Sequence, residues 1–205
     1  MKLKRQSLIT TVLLVTAVTV FGCAVQPSGP DWITLIDGDK GLENWNRIGD
    51  ANWRTEGGVI VADKGKMGFL VSKNSYNDFV IYAEFWAETD TNSGIFVRAS
   101  DPNKLSNSYE VNIWDIRPDP TYGTGAIVGL AAVQIPIANK AGGRWNTYEI
   151  SAKGPELTVK LNGIITASTP NAKYANGHFA LQFGPGVNGI TGGPIKWRKV
   201  QIKPL

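Results

Sequence analysis

The stretch Asp78-Phe79-Val80-Ile81-Tyr82-Ala83-Glu84-Phe85-Trp86-Ala87 decides the fold class of this chain. Every odd position in it is apolar, whereas the even positions include Tyr82, Glu84 and Trp86. A period of two residues is that of a β-strand, whose side chains alternate between the two faces of a sheet. The stretch therefore predicts a strand with one face in the core and a polar, aromatic face opposite.

The same alternation recurs along the chain. In residues 109–114, Tyr109, Val111 and Ile113 form an apolar face, and Glu110, Asn112 and Trp114 point the other way. In His178–Phe183, the apolar face is Phe179, Leu181 and Phe183, and His178 and Gln182 lie opposite. Further strands are predicted at 32–36, 59–62, 68–71, 94–99, 126–130, 145–152, 157–161 and 195–202. Turn pairs such as Asn162-Gly163 separate these segments, and none shows a helical period. The pattern predicts one all-β domain over residues 31–205, a two-sheet antiparallel jelly-roll sandwich.

The formal net charge of +4 is concentrated at the N-terminus. Lys2, Lys4 and Arg5 account for three of these charges, so the remainder of the chain carries only +1. No stripe of Lys and Arg follows a strand or loop as a phosphate backbone would require. The charge pattern therefore predicts that nucleic acid is not a partner.

The first residues have the order of a bacterial lipoprotein signal peptide. Basic residues precede an apolar stretch at 8–21, and Val20-Phe21-Gly22-Cys23 resembles a lipobox. This predicts removal of residues 1–22, acylation of Cys23 and a tether over 23–30. Ala24 in place of Asp favours the outer membrane, so we expect a lipid-anchored envelope protein that faces the periplasm. The alternative is that Cys23, the only cysteine, is an unmodified thiol in a discarded leader.

Several short motifs follow one another along the chain. They include Leu35-Ile36-Asp37-Gly38, Asn92-Ser93-Gly94-Ile95-Phe96-Val97-Arg98, Tyr109-Glu110-Val111-Asn112-Ile113-Trp114-Asp115 and Gly143-Arg144-Trp145-Asn146-Thr147-Tyr148. Taken in this order, the motifs resemble the 3-keto-disaccharide hydrolase domain family. The resemblance covers roughly residues 31–205. It implies the concanavalin A-like lectin/glucanase fold and a keto-sugar ligand. Asn112, Trp114 and Val128 depart from the Gln, Leu and Tyr that the family often has there.

The polar faces of the predicted strands carry the residue types that bind sugars. Tryptophan rings offer flat apolar surfaces to a sugar ring, and carboxylates and amides hydrogen-bond its hydroxyls. If their strands are neighbours, these side chains share one open groove. The predicted substrate-binding residues are Glu84, Trp86, Asn112, Trp114 and Gln182.

The substrate that the resemblance implies suggests a role for Glu110. A ketone at carbon 3 acidifies the hydrogen on carbon 2, so a carboxylate base can remove it and expel the group at carbon 1. Water addition then completes a net hydrolysis. We assign Glu110 as the base, Arg98 as the electrostatic stabiliser, and His178 or Asp115 as the acid. The alternative for each of these residues is a structural or surface role.

Two non-catalytic functions stay open at this point. One is a glycan-binding module that uses the same groove, and the other is a structural envelope lipoprotein. Direct hydrolysis by two carboxylates is disfavoured, because no facing pair emerges. One His and one Cys do not make a zinc site of the usual ligand count. Oxygen ligands from the Asp and Asn loops could hold a calcium ion, but no loop has a diagnostic spacing, so we predict no cofactor and name no metal ligands.

Overall fold

The computed structural model describes residues 26–189 and 192–205, so the predicted signal peptide and Cys23 lie outside the described residues. Within these ranges the helical segments are the single 3-10 turns Leu42–Asn44, Pro120–Tyr122 and Val187–Gly189, and no helix could span a membrane. The strands are β1 (Ile33–Asp37), β2 (Trp45–Gly49), β3 (Arg54–Glu56), β4 (Val59–Ala62), β5 (Gly68–Ser72), β6 (Phe79–Ala87), β7 (Ser93–Ala99), β8 (Tyr109–Ile113), β9 (Arg144–Lys153), β10 (Glu156–Leu161), β11 (Ile164–Pro170), β12 (His178–Phe183) and β13 (Ile195–Pro204).

The strands form two antiparallel sheets with the core between them. The large sheet has eight strands in the order β11-β10-β9-β6-β13-β4-β3, with β1 also paired to β13. The small sheet has five strands in the order β2-β5-β12-β7-β8. The predicted all-β, two-sheet jelly-roll sandwich is therefore confirmed.

The odd-numbered side chains of β6 enter the core, as the alternation predicts. Phe79 is 1% exposed, and Ile81 and Phe85 are completely buried. Phe85 stacks on Tyr148 with ring centroids 5.0 Å apart and contacts Trp197 at 5.8 Å. Burial of large aromatic and aliphatic side chains is the main stabilising contribution to a sandwich of this kind.

The differences from the predicted strands lie at the sheet edges. The strands β2, β3 and β11, which were not predicted, end the two sheets. Edge strands bury less of their surface than central strands do, so their sequences alternate less regularly. The predicted strand at 126–130 is wrong, because Ile127 forms only isolated bridges, to Val111 and to Ala131. This segment instead covers the open side of β8, where Val128 donates its N–H to the carbonyl of Glu110.

Candidate functional site

The assignment of strands to sheets decides which polar faces meet. The strand β6, with Glu84 and Trp86, belongs to the large sheet, whereas β8 and β12 belong to the small sheet. Because the core lies between the sheets, their outer faces point in opposite directions. The expectation of one groove shared by Glu84, Trp86, Glu110 and Gln182 is therefore wrong. Glu110 and Gln182 do share the outer face of the small sheet.

Two rows of side chains cross this outer face, as fixed by the antiparallel register. The first row contains Glu110, Phe96, Ala180 and Val71. The second row contains Asn112, Gly94, Gln182 and Phe69. Neighbouring strands are about 4.8 Å apart. Glu110 and Gln182 therefore lie two strands apart on adjacent rows.

Glu110 leans over Gly94, a position with no side chain to block it. A Cβ built on Gly94 would lie 3.5 Å from both Cγ and Oε1 of Glu110. Burial raises the pKa of Glu110, and the charge of Arg117 offsets part of that rise. Among the described residues, no side chain forms an ion pair or a hydrogen bond with this carboxylate. The result is a half-buried base without a local partner, which is a common property of functional carboxylates.

Arg117 is the cation that tunes this carboxylate. Replacing it by Gln should move the pKa of Glu110 further up, because the positive charge that favours the ionised form is removed. The measurement is a pH titration of the Glu110 side-chain carboxyl by carbon NMR. The matched control is Arg47→Gln on β2 of the same sheet, which should leave this titration unchanged. A lower pKa in the Arg117 variant would contradict the prediction.

Gln182 and Asn112 lie on either side of Gly94, and they differ in exposure and in hydrogen bonding. Gln182 is 7% exposed, and its Oε1 has no hydrogen-bond partner among the described residues. A buried polar oxygen without a partner is costly, so this amide is suited to a ligand. Asn112 is completely buried and donates from Nδ2 to the carbonyl of Tyr122 at 2.6 Å. The structure thus places Asn112 behind the groove, where it holds the turn at Pro120–Tyr122.

An aromatic floor lies beside Glu110 on the same face. Phe69 and Phe96 meet edge to face with ring centroids 5.4 Å apart. Leu105, from the loop between β7 and β8, packs on them with Ile48 and Val71. This apolar cluster lies outside the main core, and its partly exposed ring, Phe69, can contact the apolar face of a ligand, whereas Phe96 is only 8% exposed and supports it from behind. Phe69 and Phe96 occupy the place that the sequence analysis assigned to tryptophans.

A cavity lies at the end of this face, where β5 begins and β12 ends. Met67 precedes β5 and is 46% exposed. Met67 and Pro185 line a cavity of about 340 Å³ with Gly65, Lys66 and Gly189. By the alternation along β5, Met67 projects from the same face as Phe69. The cavity therefore adjoins the row that contains Gln182.

Trp114 and Asp115 lie just after β8, at the margin of the site. Trp114 is half-buried, and its ring centroid is 5.8 Å from Cζ of Arg117. The carboxylate of Asp115 accepts hydrogen bonds from Thr124 Oγ1 at 2.6 Å and from the N–H of Gly142 at 2.8 Å. Asp115 is 8% exposed, so its acceptors serve these loop contacts and do not face the groove.

Arg98, the predicted stabiliser, lies away from Glu110. Its guanidinium is 1% exposed and donates to the carbonyls of Asn77 at 2.9 Å and Gly154 at 2.7 Å. It also donates to Asp78 Oδ1 at 2.9 Å. Its φ of 54° is unusual for a residue other than glycine. With a further bond to the carbonyl of Tyr174 at 3.3 Å, the side chain joins three loops at one end of the sandwich.

His178 begins β12, two residues before Ala180. Its Nδ1 lies 2.8 Å from the carbonyl oxygen of Ser72. The pairing with β7 shifts between His178 and Ala180. The register therefore places His178 beyond the row of Glu110, on the side away from Gln182. Its assignment as the acid stays a prediction.

Glu84 and Trp86 lie on the outer face of the large sheet, where both contact other side chains of this chain. Burial would raise the pKa of Glu84, but hydrogen bonds from Arg198, Tyr82 and Gln26 outweigh it and lower the pKa. Glu84 is 3% exposed, and Lys196 Nζ lies 4.5 Å from the ring centroid of Trp86. The two glutamates thus differ, since Glu84 is satisfied by neighbours and Glu110 is not.

Four residues of the site were not predicted: Gly94, Phe96, Arg117 and Phe69. Phe69 lies in the continuous apolar run Phe69-Leu70-Val71, which predicts a strand without showing which face each residue takes. Phe96 lies between Ile95 and Val97, and such a continuous apolar run does not show which face is outward. Gly94 and Arg117 become informative only when the strands are paired.

Metal ligands are not clustered in the described part of the chain. Residues 26–189 and 192–205 contain no group of three or more His, Cys, Asp or Glu side chains placed to hold a metal ion. The amide oxygens of Gln182 and Asn112 are the unpartnered side-chain oxygens nearest to Gly94. The absence of a cofactor stays a prediction.

Comparison with known proteins places this fold among carbohydrate-related proteins. The profile of the 3-keto-alpha-glucoside-1,2-lyase-like domain matches residues 31–203, which confirms the family resemblance. A candidate glycosyl hydrolase from Parabacteroides distasonis is 24% identical, with a TM-score of 0.66 over 85% of this chain and 99% of its own. A carbohydrate-binding module from Bacillus subtilis is 14% identical, with a TM-score of 0.55 over 83% and 94%. A Bacillus subtilis protein of unknown function with a galectin-like fold is 6% identical, with a TM-score of 0.62 over 82% and 93%. Curated protein sequences gave no significant match.

Proposed function

The chain belongs to the 3-keto-alpha-glucoside-1,2-lyase-like domain family, and we propose that it cleaves 3-keto-glycosides with Glu110 as the base. Family membership indicates a carbohydrate-related function. The observation that supports the specific reaction is the state of Glu110, a half-buried, unpaired carboxylate over Gly94 with a raised pKa. A base of this kind is poised to take a proton from carbon nearer neutral pH than an ordinary glutamate.

The proposed reaction begins when the Glu110 carboxylate takes the proton from carbon 2. The electron pair of that C–H bond moves toward the ketone and gives an enolate. When the ketone forms again, a double bond forms between carbons 1 and 2, and the C–O bond at carbon 1 breaks. The leaving oxygen takes the proton that Glu110 now holds, and water then adds its OH to carbon 1 and its proton to carbon 2. The net result is hydrolysis, and Glu110 returns to its ionised form.

Two groups beside Glu110 suit the developing negative charge on the ketone oxygen. The guanidinium of Arg117 already acts electrostatically on Glu110. The amide of Gln182 lies on the next row. We assign Arg117 the electrostatic role that the sequence analysis gave to Arg98, because the donors of Arg98 are engaged elsewhere. Phe69, supported edge to face by Phe96, supplies the apolar surface for the sugar or its leaving group.

The test compares 4-nitrophenyl α-glucoside with its 3-keto form. Purified protein in heavy water should release nitrophenol from the keto compound only, with deuterium at carbon 2 of the sugar product. The ketone is needed because it alone makes the hydrogen on carbon 2 acidic. Cleavage of both compounds without deuterium at carbon 2 would contradict the mechanism. Binding of the keto-sugar by calorimetry without release would favour the glycan-binding alternative.

The proposal includes an envelope location. Support comes from the sequence alone, in the basic start, the apolar stretch and the lipobox-like Val20-Phe21-Gly22-Cys23. Acylated Cys23 would hold the domain at the outer membrane on the periplasmic side, with its substrate supplied in solution.

A further inference from the structure

We propose that the outer face of the large sheet around Glu84 rests on the phospholipid surface of the membrane. The groove at Glu110 would then face away from the bilayer. This orientation rests on the lipid anchor proposed at Cys23 and is independent of the reaction proposed for Glu110.

The point at which the chain reaches the domain supports this orientation. Gln26 donates from Nε2 to Glu84 Oε1 at 2.7 Å. Glu84 lies on β6, which has three strands on each side in the sheet order of the large sheet. The N-terminal end of the described chain therefore lies against the middle of this face, and not at a loop end of the sandwich.

Covalent geometry then limits the distance to the anchor. Cys23 precedes Gln26 by three residues. Three extended residues span at most about 11 Å. Acyl chains on Cys23 would enter the hydrocarbon layer. The distance between the face around Glu84 and the headgroups could then not exceed this length. A tether this short leaves little freedom to present another face to the membrane.

The side chains around Glu84 fit a lipid headgroup layer. Trp86 pairs across the strands with Trp145, and both are partly exposed. Lys196 Nζ lies 4.5 Å from the Trp86 ring centroid, and Arg198 Cζ lies 4.3 Å from that of Trp145. Tryptophan rings beside long cationic side chains are typical of membrane–water interfaces, because each has an apolar part and a polar end.

The charges on this face favour anionic headgroups. Glu84 is neutralised by Arg198, so its carboxylate does not repel phosphate. In the described residues, none of the ion pairs includes Lys196, which leaves its charge for a lipid phosphate. Basic residues at such a surface are attracted to anionic lipids. The opposite face, by contrast, carries the unpaired carboxylate of Glu110.

The experiment uses the single cysteine of the chain. When Cys23 is acylated it offers no thiol, so a second cysteine can be labelled selectively. Thr147→Cys places a fluorophore opposite Glu84 on the large sheet, and Asn46→Cys places one on the outer side of the small sheet, opposite Val71. The full acylated chain is incorporated into phosphatidylethanolamine–phosphatidylglycerol vesicles that contain a lipid with a nitroxide on its headgroup. We expect at least threefold stronger quenching at position 147 than at position 46.

Several outcomes would overturn the orientation. Equal quenching at the two positions, or stronger quenching at 46, would contradict it. Self-quenching at 147 without nitroxide lipid would show that a second copy covers this face. If the protein that retains Cys23 failed to bind vesicles, both the anchor and the orientation would be wrong. As a control, Cys23→Ser should abolish quenching at both positions. Cleavage of the keto-glucoside by the same samples tests the proposed function separately.

The contribution of the face itself is tested by a double variant. Trp86→Ser with Lys196→Glu should reduce the quenching ratio, because the tether still limits the orientation but the interfacial contacts are lost. The matched control is Lys64→Glu, an exposed charge change after β4. An unchanged ratio in the double variant would contradict a role for these side chains.

Discussion

Glu110→Gln should reduce cleavage of a 3-keto-glucoside by at least about 100-fold, because a general base contributes roughly 10²–10⁴ to the rate. Gln has nearly the shape of Glu and fits over Gly94 in the same way, so binding of the keto-sugar should persist. In the unmodified protein, activity should rise with pH through the raised pKa of Glu110, because only the anion accepts a proton. Initial rates across pH and calorimetric binding measure both effects.

The same substitution should increase stability at neutral pH. The pKa of Glu110 is raised in the folded state, so folding favours the protonated form. Its contribution to stability is therefore lost as pH rises from the ordinary carboxyl pKa through the raised value. Above that window the ionised group is a cost, and Gln removes it. Urea unfolding at neutral pH should show a higher midpoint for the variant.

Glu84→Gln provides the opposite comparison. The pKa of Glu84 is lowered, so its stabilising contribution is present above the ordinary carboxyl pKa and is lost as pH falls through the folded value. At neutral pH this variant should be less stable and should retain activity, since Glu84 lies on the other face. If Glu84→Gln lost activity while Glu110→Gln kept it, the assignment of the site to the small sheet would be wrong.

Arg98→Ala should destabilise the protein by about 3–5 kcal/mol, because the Arg98 side chain is 1% exposed and each hydrogen bond from a charged donor contributes about 1.5–3 kcal/mol. The buried guanidinium joins Asp78 to the carbonyls of Asn77 and Gly154, and all three would lose a donor. For a domain of this size the melting temperature should fall by about 10 °C. Calorimetry or circular dichroism measures this change.

The matched control is Arg54→Ala on β3. Arg54 also forms an ion pair, with Asp63 at 2.8 Å, but their side chains are 35% and 31% exposed. A surface pair of this kind contributes roughly 0–1 kcal/mol, so the control should melt close to the unmodified protein. Below its melting temperature, Arg98→Ala should still cleave the keto-glucoside. Loss of activity without loss of stability would support Arg98 as the electrostatic stabiliser that the sequence predicted.

The local alternation of apolar and polar residues identified the class of fold and much of its core. The apolar sets of β6, β8 and β12 were predicted residue by residue, because a half-buried strand has a period of two whatever its partner. The same alternation placed Glu110 and Gln182 on non-core faces, which is where the structure has them. The family resemblance rested on motifs in order along the chain and needed no tertiary information.

Only the tertiary structure decided which outward faces lie together. The alternation shows that Glu84 and Glu110 both point away from the core, but two packed sheets have two outer faces, and strand pairing alone assigns a residue to one of them. That pairing separates Trp86 from Glu110 and brings Gly94, Phe69 and Phe96 beside it. It also gives Glu84, Arg98 and Asp115 hydrogen-bond partners elsewhere in the chain. The residue types were visible in the sequence. Their partners were not, because a partner can lie more than a hundred positions away, as Arg198 does from Glu84.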